Sequence, residues 1–226
     1  MIKPDKVILS NRKSLALKID KTGKLIVLAP KNMSLEKIFK FISEKEKWII
    51  AKQTQIKSTL TLNSNLINYE EVLFLGKKYP VVYVKNNKEI ILTENALCLP
   101  SKMGFSTNRL ILNLKQWYIK NAETILIKRA NDLLKHMNLS VKSLSIINSK
   151  AKWGMCDSNK NIFLNYKLLF LSHDLIDYVI VHEITHLVEM NHSKNFYLEL
   201  ARVLPKYKTL QTKLKQCGFL LNLLTE

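Results

Sequence analysis

Two histidines and a glutamate with the spacing of a metal-binding helix lie in the C-terminal half of the chain. His182, Glu183 and His186 form the pattern H-E-x-x-H. On a helix, residues four apart share one face, so the two imidazoles can hold one ion from adjacent turns. Glu183 is rotated about 100° from His182, where its carboxylate can take a proton from water that the metal activates. The pattern therefore predicts a hydrolytic metal site with Glu183 as general base.

His192 is the candidate third ligand. On an uninterrupted helix its side chain would point roughly 120° away from the metal face. The helix must therefore end between Leu187 and Asn191 for His192 to return. Asn191 tolerates the left-handed backbone of helix C-termini, and Ser193 can cap a following helix. Three imidazoles leave the fourth position of a tetrahedral site open, which predicts one catalytic Zn²⁺ per chain.

The residues around the motif predict a buried helix, which Ser172 or Asp174 can cap. Apolar residues occupy nearly every side of it: Leu175, Ile176, Val179, Ile180, Val181, Ile184, Leu187 and Val188. Buried polar groups without partners cost about 1 to 3 kcal/mol each, and a metal supplies the partners. The opposing hypothesis is that the pattern is accidental, or that the chain descends from a metal-binding ancestor and has lost its metal.

Two segments carry a resemblance to a known family. Residues 182–196 read H-E-x-x-H-x-x-x-x-N-H-S-x-x-F, and residues 152–168 contain K-W-G-M-C-D-S followed by N-I-F-L-N-Y-K-L. They resemble the YgjP-like family of zinc-dependent hydrolases, with its W-G-S-C-S-S and N-x-x-x-N-W-R-L motifs, and are similar in spacing to WLM and SprT-like domains of DNA-repair-linked proteases. Met155, Lys152, Tyr166 and Lys167 depart from that pattern. Metzincins carry glycine where this chain has Glu189, which argues against them.

The resemblance implies an α+β fold. Its core would be zincin-like, with a metal-binding helix packed on a small mixed or antiparallel sheet, preceded by an N-terminal region of strands and a helix. It also implies a metallopeptidase, whereas the residues by themselves specify only hydrolysis. We expect residues 1–100 to form the N-terminal region and residues 101–226 the catalytic region, either as two domains or as one continuous domain.

Five further residues are candidates for second-shell or substrate-binding roles. Glu189 can orient a liganding histidine through its free ring nitrogen, or be a solvated carboxylate at the helix end. Asn165, Tyr166 and Lys167 can stabilise an oxyanion, or be structural. Trp153 lies in the loop that the resemblance marks and is a candidate for substrate contact.

A cysteine and two further histidines are predicted to have roles other than binding the metal. Cys156 is predicted to be a packing or second-shell residue, with a ligand or nucleophile role as the alternative. His136 is predicted to complement the dipole at a helix C-terminus, and His173 to lie too far along its helix to join the ion. An edge strand beside the metal helix can pair with an extended peptide, and Ile162–Asn165 is the candidate.

The elements that precede the motif are read from periodicity and turn residues. Residues 15–19 and 25–29 predict a β-hairpin, and a helical pattern runs from Ser34 to about Lys57. The polar residues 63–68 predict a connector. Strand-like segments between Glu71 and Leu99 predict a small antiparallel sheet, and a long helix is predicted from about Thr107 to His136.

The composition is strongly basic. The chain of 226 residues has a formal net charge of +18 and three cysteines spaced too widely for a disulfide framework. The charge predicts an anionic partner, nucleic acid among them, or reflects a lysine-rich compositional bias. No apolar run approaches the length of a membrane span, and the N-terminus lacks a secretory signal, so we expect a cytoplasmic protein without a membrane partner. Oligomeric state is left open.

Three functions remain in competition at this stage. The first is a zinc metallopeptidase acting on peptides or proteins. The second keeps the site and changes the substrate to the phosphoanhydride of a nucleoside triphosphate. The third is a basic nucleic-acid-binding protein with a noncatalytic zinc site, although the chain has no helix-turn-helix or zinc-finger pattern.

Overall fold

The computed structural model describes residues 2–20, 22–67, 70–85, 87–101 and 106–224, and for residues 55, 58–67 and 107 it describes the backbone alone. The chain forms two compact units, Met1–Ser64 and Asn65–Glu226. The division of function between residues 1–100 and 101–226 stays a prediction.

The first unit contains a three-stranded sheet of β1 (Lys6–Ser10), β2 (Ala16–Ile19) and β3 (Leu25–Pro30), in the order β1-β3-β2. The predicted hairpin is confirmed, because β2 pairs antiparallel with β3. Strand β1 pairs parallel with β3. The core of this unit combines alternate residues of β3 with the inner faces of two helices: Leu25, Val27, Ala29, Ile38, Ile42 and Ile49.

Two helices follow the sheet where one was predicted. Ser34 caps α1 (Leu35–Glu44) by accepting a hydrogen bond from the amide of the third helical residue, and α2 (Glu46–Ile67) begins after a break at Lys45. Residues 63–68 were predicted to be a connector and the internal boundary of the chain. The boundary is confirmed, because the two units divide after Ser64, whereas the connector is wrong for residues 63–67, which continue α2, and residue 68 lies outside the described residues. Apolar periodicity continues through Lys45, so the pattern alone did not reveal the break.

The second unit opens with a four-stranded sheet in the order β4-β5-β7-β6. Its strands are β4 (Glu71–Phe74), β5 (Lys77–Val84), β6 (Ile91–Leu92) and β7 (Leu97–Pro100). The prediction of an antiparallel sheet is wrong for one pair, because β5 and β7 are parallel. The short strand β6 crosses to the outer side of β7, which lets β7 return beside β5 in the same direction.

The remaining elements surround the H-E-x-x-H segment. They are α3 (Thr107–His136), β8 (Ser143–Ile147), β9 (Gly154–Cys156), β10 (Asn161–Asn165), α4 (His173–Thr185), α5 (Lys194–Val203) and α6 (Tyr207–Gln216). The bounds of α3 are those that the sequence predicts. Strand β10 pairs parallel with β8 and antiparallel with β9, and α4 packs against both β9 and β10. The predicted α+β class, with the motif helix on a small mixed sheet, is confirmed.

Helix α4 is fixed at its start and along its length. Arg129 of α3 donates two hydrogen bonds to the carboxylate of Asp177, at 2.6 and 2.7 Å, in a bidentate ion pair. Gly76, at φ +78°, lets the turn between β4 and β5 approach the start of α4, since a Cβ there would lie 2.8 Å from Cα of Ser172. Among the described residues, no helix combines the length and the apolar character needed to cross a bilayer.

Candidate metal centre

Helix α4 carries the first two histidines of the site on its last turns. His182 lies inside the helix and His186 is its C-cap residue, with φ −64° and ψ −16°. Nearly all other side chains from Leu175 to Thr185 are buried. The helix is therefore held on all sides, and its imidazoles have little freedom to move.

The chain leaves α4 through tight turns that return His192 to the helix. The amides of Leu187 and Val188 donate to carbonyls three residues earlier, each at 3.0 Å, which ends the α-helical hydrogen bonding. The predicted end between Leu187 and Asn191 is wrong by two residues, because α4 already ends at Thr185, and the left-handed backbone expected at Asn191 is not used. Ser193 then caps α5, as predicted, by accepting hydrogen bonds from the amides of Asn195 and Phe196 at 3.2 and 3.3 Å.

The three imidazoles converge on one point. The ligand atoms of His182, His186 and His192 all lie within 4.8 Å of one another. Nε2 of His192 lies 3.0 Å from Nε2 of His182. Zn–N bonds of 2.0 to 2.1 Å in a tetrahedral site place two ligand nitrogens about 3.3 Å apart. The separation of 3.0 Å between His182 and His192 is close to this value, and His186, within 4.8 Å of both, completes the candidate ligand set.

The protonation states also suit a cation. Burial, with the neighbouring His186 and His192 adding to it, lowers the pKa of His182 to about 4. Burial likewise lowers the pKa of His186. Both rings are thus neutral at pH 7, which is the form that binds a metal. Nδ1 of His182 is buried without a hydrogen-bond partner among the described residues. A cation between the two facing Nε2 atoms satisfies both of them as acceptors.

Glu189 meets His186 through its backbone. Its carbonyl oxygen lies 3.1 Å from Nδ1 of His186. Donation from Nδ1–H to this carbonyl leaves Nε2 of the same ring free for the cluster. An orienting group at position 189 was one of the two alternatives from the sequence, but the atom that supplies it is the main-chain oxygen and not the carboxylate.

Phe196 packs against the whole imidazole cluster, a role that the sequence reasoning did not assign. Its ring centroid lies 4.9 Å from that of His182, 4.7 Å from that of His186 and 4.7 Å from that of His192. Phe196 is fully buried. The signal in the sequence was the position of Phe196, four residues after His192 and in the first turn of the helix that Ser193 caps. This position directs the Phe196 ring toward the imidazole cluster.

Glu183 lies against the backbone of β9 at Gly154. A Cβ built on Gly154 would lie 2.7 Å from Cγ and 2.9 Å from Oε1 of Glu183. Gly154 therefore lets the strand approach the carboxylate more closely than any other residue would allow. The sequence drew attention to the Trp153-Gly154 pair by resemblance, whereas this contact with Glu183 is a finding of the structure.

Burial of Glu183 changes its ionisation. Burial raises the pKa of this carboxyl to about 7, and the nearby Lys152 partly offsets that effect. Cys156, at the other end of β9, has its pKa raised to about 11 by burial, with Glu183 and Asp157 adding to the rise. The thiol is therefore protonated at neutral pH, which disfavours a nucleophile and is compatible with the predicted packing role.

The edge of the sheet beside α4 is β9, not β10. The strand order β8-β10-β9 places β10 in the middle, hydrogen-bonded on both sides. Its centre position leaves no free edge, so the prediction that Ile162–Asn165 pairs with a peptide is wrong. Strand β9 has β10 on one side and is paired with no other strand among the described residues.

The residues 165–167 make structural contacts. The side-chain amide of Asn165 donates to the carbonyls of Ser149 and Lys152, at 2.9 and 2.8 Å. Nζ of the fully buried Lys167 donates to the carbonyl of Leu221 at 2.5 Å. Burial lowers the pKa of Lys167 to about 8, with nearby lysines contributing. These bonds occupy the donors that an oxyanion would require and favour the structural alternative.

Tyr166 and Trp153 have no described contact with the imidazole cluster. The Tyr166 hydroxyl is buried without a described partner, and its ring packs against Tyr118 and Phe170. Trp153 is half-buried and accepts a hydrogen bond from the Asn165 amide through its carbonyl, at 2.9 Å.

The two histidines that the sequence set aside lie at helix ends. His136 is the last residue of α3, and His173 is the first residue of α4 and exposed. Neither belongs to the cluster of ligand atoms.

Comparisons with known proteins give one match over most of the chain. A family model described as the YgjP-like metallopeptidase domain matches residues 13–217. No curated protein gives a significant match. Two solved metallopeptidase zymogens are similar over a smaller part. Jannalysin of Methanocaldococcus jannaschii is 23% identical over 40% of this chain and 94% of its own, with a TM-score of 0.37. Abylysin of Pyrococcus abyssi is 23% identical over 38% of this chain and 90% of its own, with a TM-score of 0.35.

Proposed function

Because the chain belongs to the YgjP-like metallopeptidase family, we propose that it is a zinc-dependent peptidase that holds its metal through His182, His186 and His192. Glu183 is its general base. The family establishes a metal-dependent hydrolase of the metallopeptidase class. The identity of the metal, its ligands and the base belong to the proposal.

One observation carries the proposal, the convergence of three imidazoles whose ligand atoms lie within 4.8 Å of one another. Zinc is the metal that a three-histidine site with an open fourth position suits best. A zinc ion in such a site acidifies water and polarises a carbonyl group.

Glu183 performs the proton transfers. Its carboxylate follows His182 directly and lies at the Gly154 backbone. In this position it accepts the proton from the attacking water and passes it to the amide nitrogen that leaves. The buried surroundings of Glu183 exclude bulk water, which strengthens the interactions of its charge with the reacting groups.

Strand β9 is the proposed docking site for the substrate backbone. A peptide that pairs with the free edge of Gly154–Cys156 extends the sheet by one strand. Since Gly154 touches Glu183, this pairing brings the peptide backbone beside the general base. The pairing role that the sequence assigned to Ile162–Asn165 thus belongs to the neighbouring strand.

A substrate panel with matched variants tests the function. Purified zinc-loaded protein is assayed on peptides, unfolded proteins and nucleoside triphosphates, beside Glu183→Gln and the control Glu123→Gln, an exposed carboxylate of α3. We expect peptide cleavage that falls about a thousandfold in Glu183→Gln and is unchanged in the control.

The competing functions give different results in the same panel. Hydrolysis confined to nucleoside triphosphates and lost in Glu183→Gln would establish the second function predicted from the sequence. Absence of any hydrolysis, together with nucleic-acid binding that weakens steeply with salt, would establish the third. Activity that survives the Glu183→Gln change contradicts both hydrolase proposals.

A further inference from the structure

A cavity of about 650 Å³ lies at the corner where α5 meets α6. Its wall includes Lys194, Lys206 and Lys208 and no acidic residue. All three lysines are exposed. We call this cavity the lysine subsite.

The charge of the lysine subsite is not neutralised by the surrounding protein. Within the described part of the chain, no ion pair involves Lys194, Lys206 or Lys208. By contrast, Nζ of Lys213, on α6, lies 3.8 Å from a carboxylate oxygen of Asp174. Three cations that share one concave wall raise the local concentration of anions. The cavity therefore suits a negatively charged group.

The lysine subsite neighbours the candidate metal centre, because Tyr197 lines the cavity and also contacts His192. The ring centroid of Tyr197 lies 6.3 Å from that of His192. Tyr197 also stacks on Tyr207, with centroids 5.6 Å apart and an interplanar angle of 21°, and both tyrosines line the cavity. An extended peptide advances about 3.3 Å per residue, so the separation of the His192 and Tyr197 rings corresponds to roughly two residues of substrate.

The aromatic side chains favour a peptide over a nucleic acid as the occupant. Single-stranded nucleic acids bind by stacking bases on free aromatic faces. Tyr197 is enclosed by rings of the protein itself, with Tyr207 on one side and Phe196 edge-on at 5.4 Å. The wall also contains Leu198, Ala201 and Pro205, which suit the aliphatic part of a side chain.

We propose that the lysine subsite binds aspartate or glutamate side chains of the substrate, so that the enzyme prefers peptide bonds within about three residues of an acidic residue. This inference rests on the proposed peptidase function and adds its substrate class.

The experiment uses the zinc-loaded full chain. A peptide library from a digested proteome is treated with the enzyme, and the new termini are identified by mass spectrometry. The best substrate is then resynthesised with glutamine in place of each acidic residue. We expect enrichment of Asp or Glu on one side of the cleaved bond, and a KM about fivefold lower for the acidic peptide than for its glutamine counterpart, with similar kcat.

Charge variants assign the preference to the cavity. In Lys206→Gln/Lys208→Gln, the fivefold difference in KM between the acidic peptide and its glutamine counterpart should fall to less than twofold. The control Lys120→Gln/Lys128→Gln removes the same charge from exposed positions of α3 and should leave the difference unchanged. Lys206→Glu/Lys208→Glu should turn the preference toward peptides with Lys or Arg at the same distance.

The outcomes separate this inference from the function beneath it. Peptide cleavage without acidic enrichment, or an equal preference in wild type and Lys206→Gln/Lys208→Gln, overturns the subsite and leaves the peptidase standing. A wild-type protein that cleaves no peptide overturns both. An oligothymidylate that binds through Lys206 and Lys208, with a polyglutamate peptide failing to compete, overturns the subsite in favour of nucleic acid.

Discussion

Replacement of Gly154 by alanine should displace Glu183, the proposed general base, without disturbing the proposed metal ligands. The new Cβ would lie 2.7 Å from Cγ, 2.9 Å from Oε1 and 3.0 Å from Cδ of Glu183. Ordinary contacts between carbon atoms are about 3.5 to 4.0 Å. Either the Glu183 side chain or strand β9 must therefore move by about 1 Å.

The magnitude follows from the size of that movement. A displacement of about 1 Å at a reacting group lowers the rate by roughly 100-fold. Crowding of one methyl group into packed surroundings costs about 1 to 3 kcal/mol of unfolding free energy. The three atoms nearest to the new methyl group all belong to Glu183, so zinc content should remain at the wild-type value.

The measurements are kcat and KM on a peptide substrate, zinc content by plasma mass spectrometry, and urea unfolding. Gly218→Ala is the matched control, because a Cβ at Gly218 meets nothing within 4 Å, and it should leave all three quantities unchanged. A Gly154→Ala enzyme with kcat within twofold of wild type would refute the placement of Glu183 beside β9. Loss of zinc in this variant would refute the separation of base and ligands.

Three further predictions concern stability. Lys167→Met should remove a rise in stability with pH. Because burial lowers the pKa of Lys167 to about 8 in the folded protein, the unfolded state binds more protons above pH 8. The free energy of unfolding of the wild type should therefore gain about 2 kcal/mol relative to the variant between pH 7.5 and 10. A constant difference in urea unfolding would contradict this. Asn165→Ala breaks the hydrogen bonds to Ser149 and Lys152 and should lower the free energy of unfolding by about 2 to 3 kcal/mol. A decrease below about 0.5 kcal/mol, well under the ~1 kcal/mol of one such bond, would count against this anchoring role of Asn165. Removal of zinc by a chelator should lower the free energy of unfolding by about 3 kcal/mol, relative to protein in zinc at a hundredfold excess over Kd. Addition of zinc should restore the full value. Calorimetric unfolding traces that coincide with and without chelator would argue against a bound metal.

The parts of the fold that the sequence predicted are those set by local chemistry. Helix α3 has the predicted bounds, and Ser193 caps α5 as expected, because caps and helical periodicity act over a few residues. The spacing of H-E-x-x-H likewise predicts the relation of His182 to His186, since both lie on one helix.

The parts that the sequence missed depend on pairings between distant segments. Whether a strand is central or at an edge depends on which segments lie beside it, and β10 was assigned to the edge although Ile162, Phe163 and Leu164 are consecutive apolar residues. Such a run is typical of a strand covered on both faces and was the available signal. The contact between Gly154 and Glu183 joins β9 to α4, and no local pattern encodes it.

The basic composition could not be interpreted from the sequence, because lysines occur along the whole chain. Only the fold brings Lys194 beside Lys206 and Lys208 in one wall. The described ion pair of α6 joins Lys213 to Asp174 of α4 and involves none of these three lysines. The positions of the lysines in space, and not their number, therefore identify the anion-binding site that we propose.

The most direct test of the metal centre is the zinc content of His192→Ala, measured by plasma mass spectrometry after dialysis. Wild type and His173→Ala are measured beside it. His173→Ala is the control because it removes an exposed imidazole at the start of α4. We predict one zinc ion per chain in wild type and in His173→Ala, and less than one tenth of that in His192→Ala, since the loss of one of three ligands leaves the ion weakly held. Equal zinc in all three proteins, or none in the wild type purified without chelator, would contradict the central claim that these three imidazoles bind the metal.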